Sequence, residues 1–243
     1  MYRNIKNYEL RYTDVDAFDN LKLSSLFSFM EESACLSADE LGFGYKDVSP
    51  RNIGFILVNC YIELDRSIKL GDNLSIHTWP MRPKHMIFLR EYEFFCGDEK
   101  IGAATARWVM IDTKNFAMLP YTEFFKDSDF ESYNTQRAIN FNGWKLPNVS
   151  NGNIVYSKRI SYSDYDHYFH ANNTKYADFL MDAFSIDELR GKELKSMQIT
   201  YVKQCKEGDI IDLVREKSDG VWLIEGRVEG EVRVQMRVKF DCF

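Results

Sequence analysis

Residues 162–184, YSDYDHYFHANNTKYADFLMDAF, decide the fold. Tyr176, Phe179, Leu180, Ala183 and Phe184 recur at i, i+3, i+4, i+7 and i+8, which is one face of an amphipathic helix. Asn173 or Thr174 is placed to cap its start. Just ahead stand Asp166, His170 and the pair Asn172 and Asn173. A helix start presents N–H groups and partial positive charge, so a carboxylate and an imidazole there border a place suited to polarising a carbonyl. An ordinary loop-to-helix junction, whose Asp and Asn only cap, has the same spacing.

Working outward, the chain repeats this pattern. Tyr12-Thr-Asp14-Val-Asp16 matches Tyr162-Ser-Asp164-Tyr-Asp166, again just before an amphipathic run. There the apolar face is Leu23, Leu26, Phe27, Met30, Ala34 and Leu41, ended by Gly42. Residues 61–72, closing on KLGD, resemble residues 198–209, closing on KEGD. Self-similarity over such a distance points to duplication of one unit.

After each helix the period changes from helical to alternating. Strands are expected at 54–64, 74–79, 86–96 and 101–112, and again at 197–205, 210–215, 221–228 and 231–240. In the last of these Val232, Val234, Met236, Val238 and Phe240 alternate strictly with charged and polar residues, giving one buried and one wet face. Each unit is therefore a helix against a strongly curved antiparallel sheet, an α+β fold, with units at 1–113 and 154–243. Residues 114–153 carry prolines, Asn and Gly between the aromatics Tyr121, Phe124, Phe125, Phe130, Tyr133, Phe141 and Trp144. So aromatic a linker is expected to pack over both units, with a short helix near residues 123–126.

Composition bounds the function. At 45% hydrophobic and 15% aromatic, 243 residues bury an ample core. No apolar run is long enough to span a membrane, and the first residues lack a signal-peptide core, so a cytoplasmic location is expected. Five scattered cysteines, none in a C-x-x-C pair, read as reduced thiols rather than a metal site, and no cofactor motif occurs. His77 and His85 lack partners at ligand spacing, and His167 would be expected to point away from His170 in an extended segment. The net charge of −6 argues against general nucleic-acid binding.

Asp166-His-Tyr168-Phe-His170-Ala-Asn172-Asn173-Thr-Lys-Tyr176 resembles a motif of the acyl-acyl-carrier-protein thioesterases, Asp-x-Asn-x-His-x-Asn-Asn-x-x-Tyr. Thr200-Tyr201-Val-Lys203-Gln204-Cys205 stands where that family has a strand ending in Glu-Cys. The resemblance runs from about Tyr8 to Phe240 and implies a double hot-dog fold and hydrolysis of a fatty acyl thioester. Two positions depart from the pattern: Tyr168 replaces an Asn, and Gln204 replaces the Glu. A glutamine orients water but takes no proton, which leaves acid–base work to Asp166 and His170.

On this reading the catalytic set is Asp166, His170, Gln204 and Cys205. Asp166 is base or nucleophile, and Cys205 either a thiolate or a packing residue. Tyr168, Asn172 and Asn173 contact substrate, while Phe27, Met30, Phe55, Leu57 and Trp108 line the acyl pocket. The first unit has Asn20 in place of His170 and is expected to shape that pocket only. An acidic carrier protein would dock on Lys175, Arg190, Lys192, Lys195, Lys203 and Lys206. Acyl-CoA as donor, a dehydratase-like hot-dog enzyme and a non-catalytic acyl-binding protein are the competing readings. The duplication allows a monomer with an internal pseudo-dimer, or a homodimer of such chains.

Overall fold

The computed structural model describes residues 1–166 and 169–242. In chain order the elements are β1 (Asn4–Glu9), α1 (Leu23–Glu40), α2 (Tyr45–Val48), β2 (Ile53–Leu64), β3 (Asn73–Pro80), β4 (Ile87–Cys96), β5 (Glu99–Asp112) and β6 (Met118–Leu119). They are followed by β7 (Asn153–Arg159), α3 (Asn173–Met181), α4 (Ile186–Leu189), β8 (Lys192–Tyr201), β9 (Ile210–Ser218), β10 (Val221–Val228) and β11 (Glu231–Cys242). The strands form one antiparallel 11-stranded sheet in the order β1-β3-β4-β5-β2-β8-β11-β10-β9-β7, with β6 paired to β5. Each half thus has the same internal order, and the halves join where β2 meets β8.

That junction has a simple geometry. Tyr61 pairs with Gln198, and these are the same two residues that open the matching segments of the repeat. A pseudo-two-fold axis therefore passes between them. The likeness extends to individual hydrogen bonds. Asp16 N–H donates to the Asn20 carbonyl at 2.8 Å, and Asp166 N–H to the His170 carbonyl at 2.9 Å. Asp19 and Phe169 both have φ of 59°. In both Gly-Asp turns the aspartate side chain accepts from the backbone N–H of a lysine three residues earlier, Lys69 at 2.9 Å and Lys206 at 2.8 Å. Gly71 and Gly208 occupy the left-handed region there, at φ +94° and +87°, which only glycine adopts freely.

The core lies between the helices and one face of the sheet. Leu26, Phe27 and Met30 of α1 and Tyr176, Phe179 and Leu180 of α3 pack with Cys60, Ile62, Met197, Ile199, Val234 and Met236. Strand alternation turns Tyr61, Glu91, Gln198 and Glu225 to the opposite face. The linker crosses that face. The Glu91 carboxylate accepts from Thr105 Oγ1 at 2.8 Å and Ala138 N–H at 3.0 Å, and pairs with Arg137 at 2.7 Å. Phe141 stacks on Tyr61 at 3.7 Å, and Gln198 Nε2 donates to the carbonyls of Gly143 and Trp144. Glu225 then receives Val149 N–H at 3.1 Å.

Several expected boundaries move. The helix α3 ends at Met181, so Ala183 and Phe184 are buried beyond it rather than on its face. The carbonyls of Leu180 and Met181 there take the N–H groups of Ala183 and Phe184, tightening the last turn. Strand β8 starts at Lys192, with a half-buried polar stretch that carries no alternation, and stops at Tyr201. Near the expected linker helix the chain makes two 3₁₀ turns, Tyr121–Glu123 and Asp127–Phe130.

Candidate active site

The start of α3 is built by Asn172. Its Oδ1 accepts from Thr174 N–H at 2.8 Å and Thr174 Oγ1 at 2.7 Å, so Asn172 is the cap, one residue before the two expected. The loop ahead closes on itself: Asp166 N–H donates to the His170 carbonyl, and His170 N–H to Asp166 Oδ1 at 3.3 Å. This brings Asp166, His170 and Asn173 to one pocket of about 120 Å³. Its other walls are Gly54, Phe55 and Ile56 of β2, the end of β5, Phe116 and Gln204. The Phe116 ring lies 5.1 Å from the His170 imidazole. Gln204 Oε1 is buried with no hydrogen-bond partner among the described residues, a free acceptor at the pocket.

The other expected residues fall in different places. Asn172 spends its side-chain oxygen on the cap. Tyr168 lies outside the described residues, as does His167. Cys205 is buried in the main core, where its backbone N–H donates to the Tyr176 hydroxyl at 2.9 Å. Burial pushes its thiol pKa up, which opposes thiolate formation. Of the two roles expected for Cys205, its position suits packing rather than the thiolate.

Phe27, Met30 and Leu57 surround a void of only about 20 Å³, room for about one water, which Asn173 also borders. Trp108 also lines that void, and with Phe55 it borders an apolar chamber of about 240 Å³, with Phe43, Phe88, Phe125, Phe130 and Tyr133 among its other walls. Sequence reading missed this chamber because the linker rings close it, a long-range contact without periodicity. Gly54 and Phe55 belong to both the chamber and the 120 Å³ pocket. A side chain at Gly54 would meet Thr113 Cγ2 at 3.0 Å, so the bare backbone lets β2 lie close to the end of β5 there.

The expected basic face also divides. Lys203 borders a recess adjoining the pocket and pairs with Glu231 at 3.0 Å. Lys192 borders a different cleft, of about 510 Å³, shared with Asp16 and Asn20 of the first unit. Arg190 lies over Phe18 of that same cleft and pairs with Asp187 at 3.1 Å.

Tandem helix-and-sheet units sharing one sheet define a double hot-dog protein. The N-terminal domain of the acyl-ACP thioesterases matches residues 2–122 and their C-terminal domain residues 152–241, and the chain belongs to that family. An acyl-ACP thioesterase from Bacteroides thetaiotaomicron superposes with a TM-score of 0.88 at 22% identity, covering 98% of each chain. The 12:0-ACP thioesterase from Umbellularia californica superposes with a TM-score of 0.84 at 14% identity, over 99% of this chain and 98% of that one. These likenesses show the fold. The palmitoyl-acyl carrier protein thioesterase of Gossypium hirsutum is 22% identical over 231 residues, 88% of this chain and 55% of the relative. The chain thus spans about half the length of the curated relative it matches. Among the described residues no helix is long and apolar enough to cross a membrane.

Proposed function

We propose that this chain hydrolyses the thioester of fatty acyl-acyl carrier protein, releasing free fatty acid. One observation carries the reading: a pocket holding Asp166, His170, Asn173 and Gln204 shares the walls Gly54 and Phe55 with an apolar chamber. A polar reacting centre beside a greasy cavity is what a fatty thioester requires.

Asp166 acts as general base on a water held by the unpartnered Gln204 Oε1. The water oxygen adds to the thioester carbonyl, whose negative charge gathers at the first turn of α3 and the Asn173 amide. On collapse the C–S bond breaks, and the proton that Asp166 took from the water passes by way of His170 to the leaving thiolate. Family membership and the acyl-carrier-protein relatives support the donor.

The test is release of free thiol from acyl-acyl carrier protein and from acyl-CoA, at low and high salt. Asp166→Asn should lower kcat by at least about a hundredfold with an unchanged circular dichroism spectrum. A carrier-protein KM that rises with salt supports docking on basic residues. Full turnover in the Asn variant removes the mechanism, and a preference for acyl-CoA removes the donor.

A further inference from the structure

Arg90 lies on β4, 6% exposed, and borders the apolar chamber. Its Nη1 donates to Ser37 Oγ at 2.9 Å and more weakly to Thr78 Oγ1 at 3.4 Å. Among the described residues no carboxylate lies within ion-pair distance of it, and its Nε and Nη2 hydrogens have no protein acceptor. Arg227, which is 28% exposed, by contrast pairs with the buried Glu225. A buried, uncompensated guanidinium is costly and lowers a fold's stability unless something answers its charge.

The fold itself does not call for a cation there. Followed outward from the pseudo-axis, the ladder runs Cys60, Ala106, Arg90 in the first half. The same ladder runs Met197, Val238, Trp222 in the second. Trp222 packs edge-on against Phe184 at 5.4 Å and fills its place. The first half has an arginine and a cavity where the second has a ring.

A second donor lies close by. Trp108 borders the same chamber as well as the 20 Å³ void, diagonal to Arg90 across the β4–β5 ladder, and its indole Nε1–H is buried without an acceptor among the described residues. The carboxylates on the chamber's edge, Glu31 and Asp39, belong to exposed residues of α1. Apolar walls with two donors lacking an acceptor select a ligand that is aliphatic along its length and anionic at one end.

We propose that the chamber binds an unbranched aliphatic carboxylate with its carboxyl group on Arg90. The inference rests on reading this chamber as the one an acyl chain enters. Two sources have this chemistry: a free fatty acid, which would then inhibit by occupying the chamber, and the far carboxylate of a dicarboxylic acyl thioester.

Calorimetric titration of the intact chain with decanoate, methyl decanoate and 1-decanol tests the site without any turnover. Decanoate should bind at least about tenfold more tightly than the ester or the alcohol. In Arg90→Met the three should bind alike. Equal affinities in the parent protein, or a preference that survives in Arg90→Met, would overturn the proposal. If that variant does not fold, the ligand series on the parent protein still decides. The source is read from turnover of decanoyl and of singly thioesterified decanedioyl carrier protein. An Arg90-dependent advantage for the dicarboxylic thioester assigns the far carboxylate, and competitive inhibition by decanoate without that advantage assigns the free acid. Tight decanoate binding in a protein that hydrolyses neither thioester would leave this site standing and refute the hydrolase reading instead.

Discussion

Cys205 shows how a residue next to a motif differs from a residue in a pocket. Sequence places it beside Gln204 and within reach of His170, but the structure turns it into the core beneath Tyr176. A thiol whose pKa burial has raised is a poor nucleophile at neutral pH. Cys205→Ala should therefore keep turnover within about twofold while costing roughly 1–2 kcal/mol in stability for the small cavity left behind. Thiol-release kinetics and urea unfolding measure the two effects separately; a large loss of kcat without loss of stability would restore the thiolate. That Asp166 and His170 fall at one pocket was legible because both stand at fixed distances from a strong helical period. Arg90 was not, because only the tertiary contacts of β4 show that no carboxylate answers it.

At the scale of elements, α3 and the strands fall on opposite sides of what patterning conveys. The helix was visible through its apolar face, and its start was misplaced by one residue because three consecutive residues, Asn172, Asn173 and Thr174, are all competent caps. Which one caps depends on loop closure: Asn172 N–H is tied to the Asp164 carbonyl at 2.8 Å, which fixes its extended backbone. Asn172→Ala should cost about 1 kcal/mol in thermal or urea unfolding. Because the same turn borders the proposed reaction pocket, the loss should appear in kcat more than in KM. A change in KM alone would detach the cap from the chemistry. The edge strands β1 and β7 escaped sequence reading for a related reason. β7 is exposed along almost its whole length, so no alternation marks it.

For the whole molecule, duplication was readable from two short matches, and the shared sheet order and the paired loops agree with it. How the linker is held was not readable, since its anchors lie far off in sequence. Glu91 on β4 and Glu225 on β10 hold it from the two halves, with Gln198 between them at the pseudo-axis. Glu91→Leu leaves Arg137 and the Ala138 N–H without their acceptor. Arg137 is 27% exposed, so water recovers part of the loss and a cost of about 2–3 kcal/mol is expected. Faster proteolytic cleavage around residues 137–146, followed by mass spectrometry, would accompany it. Unaltered stability and cleavage would make the strap incidental.

The covalent joining of the two halves changes how they are able to diverge. Two identical subunits meeting at such an axis would carry every substitution twice, altering both loops together. Here a single codon change touches one loop and spares its twin. Asp166 and His170 keep an imidazole at their narrow pocket, while Asp16 and Asn20 border a cleft about four times as roomy without one. One ancestral geometry is thereby free to serve two separate purposes inside a single chain.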